Sequence, residues 1–332
     1  MDKLEEYGVL AKPDDVGVVP EFVVPSMLRP KEEPGEWRLV TDFSPLNVHI
    51  KKLHTVTPTI QESKRKLAKA KYHIQLDLSN YFYQAGVRRS DSQYLGTPHP
   101  FKGLRVYICE PQGLKNSSEH AYERLQRVYG DLCAADKMAQ QADAVFVLGN
   151  TLEQLSENFR EVLNRARLAN LTFKPSKVIV VPEKSILWGW KKENGGWSPT
   201  AHTISPLSIA VKPTTIKQMR SFLGSYKQLT DNIPRYAQYI SIFDELIGNR
   251  ASAEKIIWTE DLEEAFEKAK KSLNTILIVH TPRPDDKLHT YSDYSEENKC
   301  IGGRLEIHRK DEGGKVTKLS ESQSPSTKMV AM

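Results

Sequence analysis

Residues 72–76 alternate apolar and polar, 145–148 are continuously apolar, and 177–181 are rich in β-branched side chains. Each pattern predicts a buried or half-buried strand. Between the last two, Leu152, Leu155, Phe159, Val162, Leu163 and Ala166 recur at helical spacing behind Thr151 and Gln154, which have the form of a capping box. A second amphipathic helix is expected from about Ser118 to Cys133, with Ala121, Leu125, Val128 and Leu132 on one face. Upstream, Pro13, Pro20, Pro25, Pro30, Pro34 and Pro45 break any long helix and leave an arm with short strands.

Downstream of the turn at Gly195 and Gly196 the pattern restarts. Thr215 and Gln218 cap a helix carrying Ile216, Met219, Phe222, Leu223 and Tyr226, so a second module is expected from about residue 205. A third opens at Trp258 and Thr259, where Leu262, Ala265, Phe266, Ala269 and Leu273 make a helix leading into apolar runs at 276–279 and 288–294. Residues 320–332 carry Ser320, Ser322, Ser324, Pro325 and Ser326 without periodicity, and a disordered tail is expected there.

Composition narrows the class. The chain has 332 residues, 39% hydrophobic and 27% charged, with no apolar run long enough to span a bilayer. An intracellular protein without membrane partners is expected. Cys109, Cys133 and Cys300 are too few and too dispersed for a disulfide framework, so reduced thiols are expected. Forty-seven Lys and Arg against 42 Asp and Glu give a formal charge of +5. Between 51 and 71 stand Lys51, Lys52, Lys64, Arg65, Lys66, Lys69 and Lys71 with Glu62 the one acid, which reads either as a solvated helix face or as a surface for a polyanion.

Two acids stand next to predicted strands. Asp77 ends the first strand, and Asp143 leads into the apolar run at 145–148. Asp is favoured in caps and turns, and equally suits a divalent-ion site in which carboxylates from different strands converge. Arg38 ahead of Asp42, and Gln112 with Gly113, suit phosphate binding and close backbone approach to a ligand, or a surface arginine and a simple turn.

The order of these pieces carries a resemblance. Trp37-Arg38-Leu39-Val40-Thr41-Asp42-Phe43, then Leu76-Asp77-Leu78-Ser79-Asn80-Tyr81-Phe82, then Pro111-Gln112-Gly113, then Leu171 to Lys177 and Leu187-Trp188-Gly189-Trp190 resemble, in sequence, motifs of the reverse transcriptases of gypsy-type long-terminal-repeat retrotransposons. The resemblance implies an α+β fold of fingers, palm and thumb with an antiparallel palm sheet, followed by a partial ribonuclease-H-like α/β module. The implied segments are an arm and fingers at 1–50, fingers and palm at 51–204, a thumb or connection at 205–257, a truncated ribonuclease-H-like domain at 258–319 and the tail at 320–332.

It also implies roles. Arg38 and Lys31 would contact an incoming triphosphate, Phe82 would be the steric gate against a ribose 2′-hydroxyl, and Gln112 and Gly113 would line the nucleotide pocket. Asp77, Asp143 and the Leu78 carbonyl would hold Mg2+ or Mn2+. The partners would be an RNA or DNA template with its primer, and deoxynucleoside triphosphates. Where the family carries Tyr, any residue, Asp, Asp, this chain has Gln141, Ala142, Asp143 and Ala144, so the second acid is missing. Polymerisation is therefore expected to be crippled, and a catalytically inactive nucleic-acid-binding remnant is the alternative. Asp293 falls at the first acid of a vestigial ribonuclease H. With 39 residues after it, nuclease activity is not expected, and a gene fragment or a decaying copy is.

Overall fold

The structure, a computed structural model, describes residues 1–30, 35, 37–193, 196–282, 285–295, 300–310 and 315–328, and of 293–304 and 319–328 only the backbone. It divides into two compact units, Met1–Val181 and Pro182–Met332.

The first unit is built on a four-stranded antiparallel sheet ordered Met138–Gln141, Ala144–Gly149, Tyr72–Asp77 and Ile179–Val180. Strand alternation puts Ile74, Leu76, Val145 and Val147 on one face, where they meet Leu125, Tyr129, Leu155 and Val162 of the helices Ser117–Ala134 and Leu152–Leu168. Both expected helices and the two longer strands are present. Leu152 and Leu163, expected inside, are exposed. Asn158 takes a core position instead, its side-chain amide donating to the Leu148 carbonyl at 2.8 Å, so the apolar stripe is narrower than the spacing implied. At the helix start Thr151 accepts from the Gln154 N–H, but the Gln154 side chain turns to the Asn150 N–H, one residue before the expected partner. Residues 177–181 yield only the two-residue strand Ile179–Val180, because Pro175 opens a 3-10 turn, Pro175–Lys177, that uses up the start of the segment.

The basic stretch is only partly a charged surface. Its helix, Ile60–Lys69, is closed by a complete Thr59–Glu62 capping box; Lys64 is buried, and Lys66 and Lys69 lie against Asp136 at 3.1 and 3.8 Å. Ahead of the helix Ser117–Ala134, Glu110 is buried with its Oε1 2.8 Å from His120 Nδ1. Burial lifts its carboxyl above the ordinary range, more than His120 and Ser117 lower it. The folded chain thus binds this proton more tightly than the unfolded chain, and stability falls as pH rises above the unfolded value near 4.5. Glu110→Gln is expected to flatten that fall, measured as the difference in urea unfolding free energy between about pH 4 and pH 7.

The second unit begins with the antiparallel strands Lys184–Leu187, Trp190–Glu193, Gly196–Pro199 and Val279–His280, of which the last is all that forms from the apolar run at 276–279. The helices Ile216–Lys227 and Glu260–Ser272 follow the predicted periodicities, the first with both halves of its Thr215–Gln218 box made, and a further helix, Ala237–Ile247, lies between them in the chain. A three-stranded antiparallel sheet, Lys287–Ser295, Cys300–Lys310 and Val316–Lys328, ends the unit. The expected tail from residue 320 is therefore corrected as far as Lys328. A strand ladder needs backbone groups rather than apolar side chains, and Pro325, which has no N–H to give, falls where the register shifts between Ile301 and Gly303.

Candidate active site

Asp77 is the last residue of the strand Tyr72–Asp77, and its Cα partner across the antiparallel ladder is Ala144. Asp143 occupies the two-residue turn, Ala142 and Asp143, that joins Met138–Gln141 to Ala144–Gly149. One backbone bond fastens the two acids together: the Leu78 N–H donates to the Asp143 carbonyl at 2.9 Å. Alternation places Asp77 and Ala144 on the face opposite the helix-packed core, so the acids are free of that core. Asp143 is held above the ordinary carboxylate range, first by desolvation and, after a lowering backbone bond, by the Asp77 charge, with Lys177 pulling the other way.

The turn is conformationally costly. Ala142 sits at φ 51°, in the left-handed region that disfavours a Cβ. Ala142→Gly is expected to raise stability by about 0.5–1 kcal/mol, seen as a higher melting temperature, and an unchanged or lower one would show the turn to be unstrained.

Lys177, which closes the 171–177 motif and was given no role of its own, reaches the candidate site. Its Nζ lies 2.9 Å from Asp77 Oδ2. The pairing follows from the backbone: the Lys174 N–H donates to the Asp77 carbonyl, the Ser79 N–H to the Thr172 carbonyl, and the Gln84 side chain bonds both the N–H and the carbonyl of Thr172. The segment at 171–177 is thus stitched alongside the Asp77 loop. A lysine 100 residues from an aspartate carries no signal of that kind in sequence. Asp77, Asp143 and the Leu78 carbonyl, which accepts no hydrogen bond among the described residues, make a donor set of hard oxygens that fits one divalent ion. Ala144 supplies no oxygen for another.

The remaining expected residues come together in part. Phe82 lies in the 3-10 turn Tyr81–Gln84 directly after the Asp77 loop, half-buried, its ring 5.1 Å from that of Tyr81. Arg38 is exposed on the strand Trp37–Thr41, close enough to Tyr83 for its charge to lower that phenol against the raising effect of burial. Gln112 and Gly113 are exposed on a loop bound to the chain just past that strand: the Asn47 side chain donates to the Gly113 carbonyl at 3.0 Å and accepts from the Lys115 N–H at 2.7 Å. At φ 93° Gly113 holds a conformation reserved for glycine. Behind the Arg38 hairpin, Ser26, Thr41, Thr97 and Tyr107 form a chain of hydroxyl bonds of 2.6–2.7 Å, which fixes the strand pair. Lys31 lies outside the described residues. Asp293 stands in the second unit, on the strand Lys287–Ser295 opposite Gly302.

A likeness to a known family covers this region. Residues 29–189 match the reverse transcriptase (RNA-dependent DNA polymerase) family. The matched stretch runs from the Arg38 hairpin through both acids to the strand Lys184–Leu187. The Tf2-3 and Tf2-4 transposon polyproteins of Schizosaccharomyces pombe are each 24% identical over 249 residues, 75% of this chain. The chain spans 18% of the length of these curated relatives. Among solved structures, a foamy viral protease-reverse transcriptase in complex with dsDNA matches 97% of this chain and 64% of its own, at TM-score 0.73 and 18% identity. The same viral protein with an RNA/DNA hybrid matches 97% and 41%, at TM-score 0.65 and 18% identity. The fold is that of a reverse transcriptase, α+β with antiparallel sheets, as expected. No helix among the described residues is long and apolar enough to cross a membrane.

Proposed function

We propose that the chain is a gypsy-type retrotransposon RNA-directed DNA polymerase whose site is impaired at Ala144. The observation that carries this reading is the strand register, which sets Ala144 opposite Asp77 while Asp143 is bonded to Leu78. Arg38, with Lys31, holds the triphosphate of a deoxynucleotide. Gln112 and Gly113 shape its pocket, and the Phe82 ring excludes a 2′-hydroxyl. Asp77, Asp143 and the Leu78 carbonyl would hold Mg2+ or Mn2+, whose bound charge would support attack of a primer 3′-hydroxyl on the α-phosphate. The template is RNA or DNA bearing a primer. Fingers and palm occupy 51–204 after the arm and fingers of 1–50, the thumb or connection 205–257, and a vestigial ribonuclease H, with Asp293 at its first catalytic acid, 258–319.

A non-catalytic nucleic-acid-binding remnant is the second reading. It is favoured by the Lys177–Asp77 ion pair, which already neutralises the acid that a metal would use.

Primer extension on an RNA template separates the two. The polymerase reading expects weak extension above an Asp77→Ala background. Salt-sensitive binding of primer-template with extension at background level would leave the remnant reading standing. In a chain made active by Ala144→Asp, Phe82→Val is expected to reduce the preference for deoxynucleotides over ribonucleotides by at least about tenfold. Competing single-nucleotide incorporation measures this, and an unchanged preference would remove Phe82 from the gate.

A further inference from the structure

The first unit contains a cavity of about 700 Å3 between the segment at 85–95 and the helix Ser117–Ala134. None of Asp77, Asp143, Arg38, Phe82, Gln112 or Gly113 lines it, so it is separate from the candidate active site. Its volume suits an organic ligand of nucleotide size. Leu46, Leu95 and Glu110 are its buried floor, and Arg88, Tyr94 and Arg127 its exposed rim.

The charges around this cavity are unevenly committed. Each lining acid has a partner: Glu110 the His120 ring, Glu123 the Thr55 hydroxyl at 3.0 Å, and Asp91 the Ser90 hydroxyl at 3.2 Å. The three lining guanidiniums have no carboxylate partner among the described residues. Arg124 donates only to the Gln84 and Ala169 carbonyls, and the side chains of Arg88 and Arg127 make no ion pair or hydrogen bond there. Leu46, Ile50, Leu95 and Leu114 supply apolar wall. An anion with a flat apolar body satisfies both halves of this lining, because guanidinium forks bind phosphate oxygens and a base lies well against aliphatic and aromatic surface.

We propose that this cavity binds one nucleotide, its phosphate on the Arg88 and Arg127 guanidiniums and its base against the apolar wall. The same chemistry is offered by a free nucleoside monophosphate and by an unpaired nucleotide of a single strand. Binding requires no divalent ion and is independent of polymerisation.

The test uses the full chain in EDTA, with 8-azido-2′-deoxyadenosine monophosphate as photoprobe and peptide mapping of the label. Label is expected within 85–95 and 117–134. Arg88→Gln with Arg127→Gln should weaken dAMP binding by at least about tenfold, the equivalent of one lost charged contact. Gly86→Phe should abolish it by filling the cavity. A Cβ at Gly86 meets nothing within 4 Å, so the side chain starts without a clash, and an unchanged melting temperature checks that the variant folds. Arg160→Gln, at an exposed arginine of the helix Leu152–Leu168 outside the lining, should leave dAMP binding unchanged. Competition by dAMP and by a short oligo(dA) then tells the two sources apart: stronger competition by dAMP assigns a free nucleotide, and by the oligomer a strand. Label mapping to the Arg38 strand, or full binding by Gly86→Phe, would overturn the proposal. Neither result touches primer-template binding or extension, which test the polymerase reading separately.

Discussion

Ala144→Asp is expected to raise primer extension in Mg2+ about a thousandfold over the unmodified chain, corresponding to about 4 kcal/mol of transition-state stabilisation. The reason is positional. Ala144 is the direct cross-strand neighbour of Asp77, and side chains so paired have Cβ atoms roughly 5 Å apart on the same face. A carboxylate there would join Asp77 and Asp143 around one site, completing the oxygen set that two divalent ions require. The same substitution crowds three acids together, of which Asp143 is already raised by its surroundings and by Asp77. The metal-free variant should therefore melt lower than the unmodified chain and recover more on adding Mn2+, since an ion that binds only the folded state stabilises it. Extension that stays at the Asp77→Ala background, in a variant that binds primer-template, would show that damage extends beyond the missing acid.

Phe266→Ala is expected to cost about 3–5 kcal/mol of stability in the second unit. Phe266 is fully buried, its ring centroid 4.9 Å from Phe222, 5.5 Å from Trp258 and 6.4 Å from Phe243, the last two edge-to-face. Truncation removes one ring from three aromatic contacts and leaves a cavity that the helices Ile216–Lys227, Ala237–Ile247 and Glu260–Ser272 cannot all close. Urea unfolding followed by tryptophan fluorescence measures the loss. A cost below about 1 kcal/mol would mean that this cluster is not the core of the unit.

Much of this was legible in the chain itself. Period-two and period-3.6 patterns located the sheet strands Tyr72–Asp77 and Ala144–Gly149 and the helices beside them, because one face of each had to be buried. Capping residues marked helix starts at Thr151 and Thr215, both of which accept from a backbone N–H in the first turn. Errors collected where periodicity is silent. The serine-rich strand Val316–Lys328 has no apolar pattern, and its ladder is made by backbone groups that every residue but proline carries in full. The short strand Ile179–Val180 lost its expected length to a proline turn.

The site divides along the same line. Local sequence picked out the candidates for chemistry: Asp77 at a strand end, Asp143 in a turn, Arg38, Phe82, and Gln112 beside a glycine whose φ of 93° only glycine takes readily. It also determined that Ala144 brings no carboxylate. Only the tertiary structure decided what each of them faces. Ladder register set Ala144 against Asp77, and stitching of the 171–177 segment to the Asp77 loop brought the Lys177 ammonium to that carboxylate. The physical reason is that hydrophobic period and capping act over a few residues. A contact between residues 67 or 100 apart depends on sheet order and register, which are fixed by burial and backbone hydrogen bonding over the whole unit.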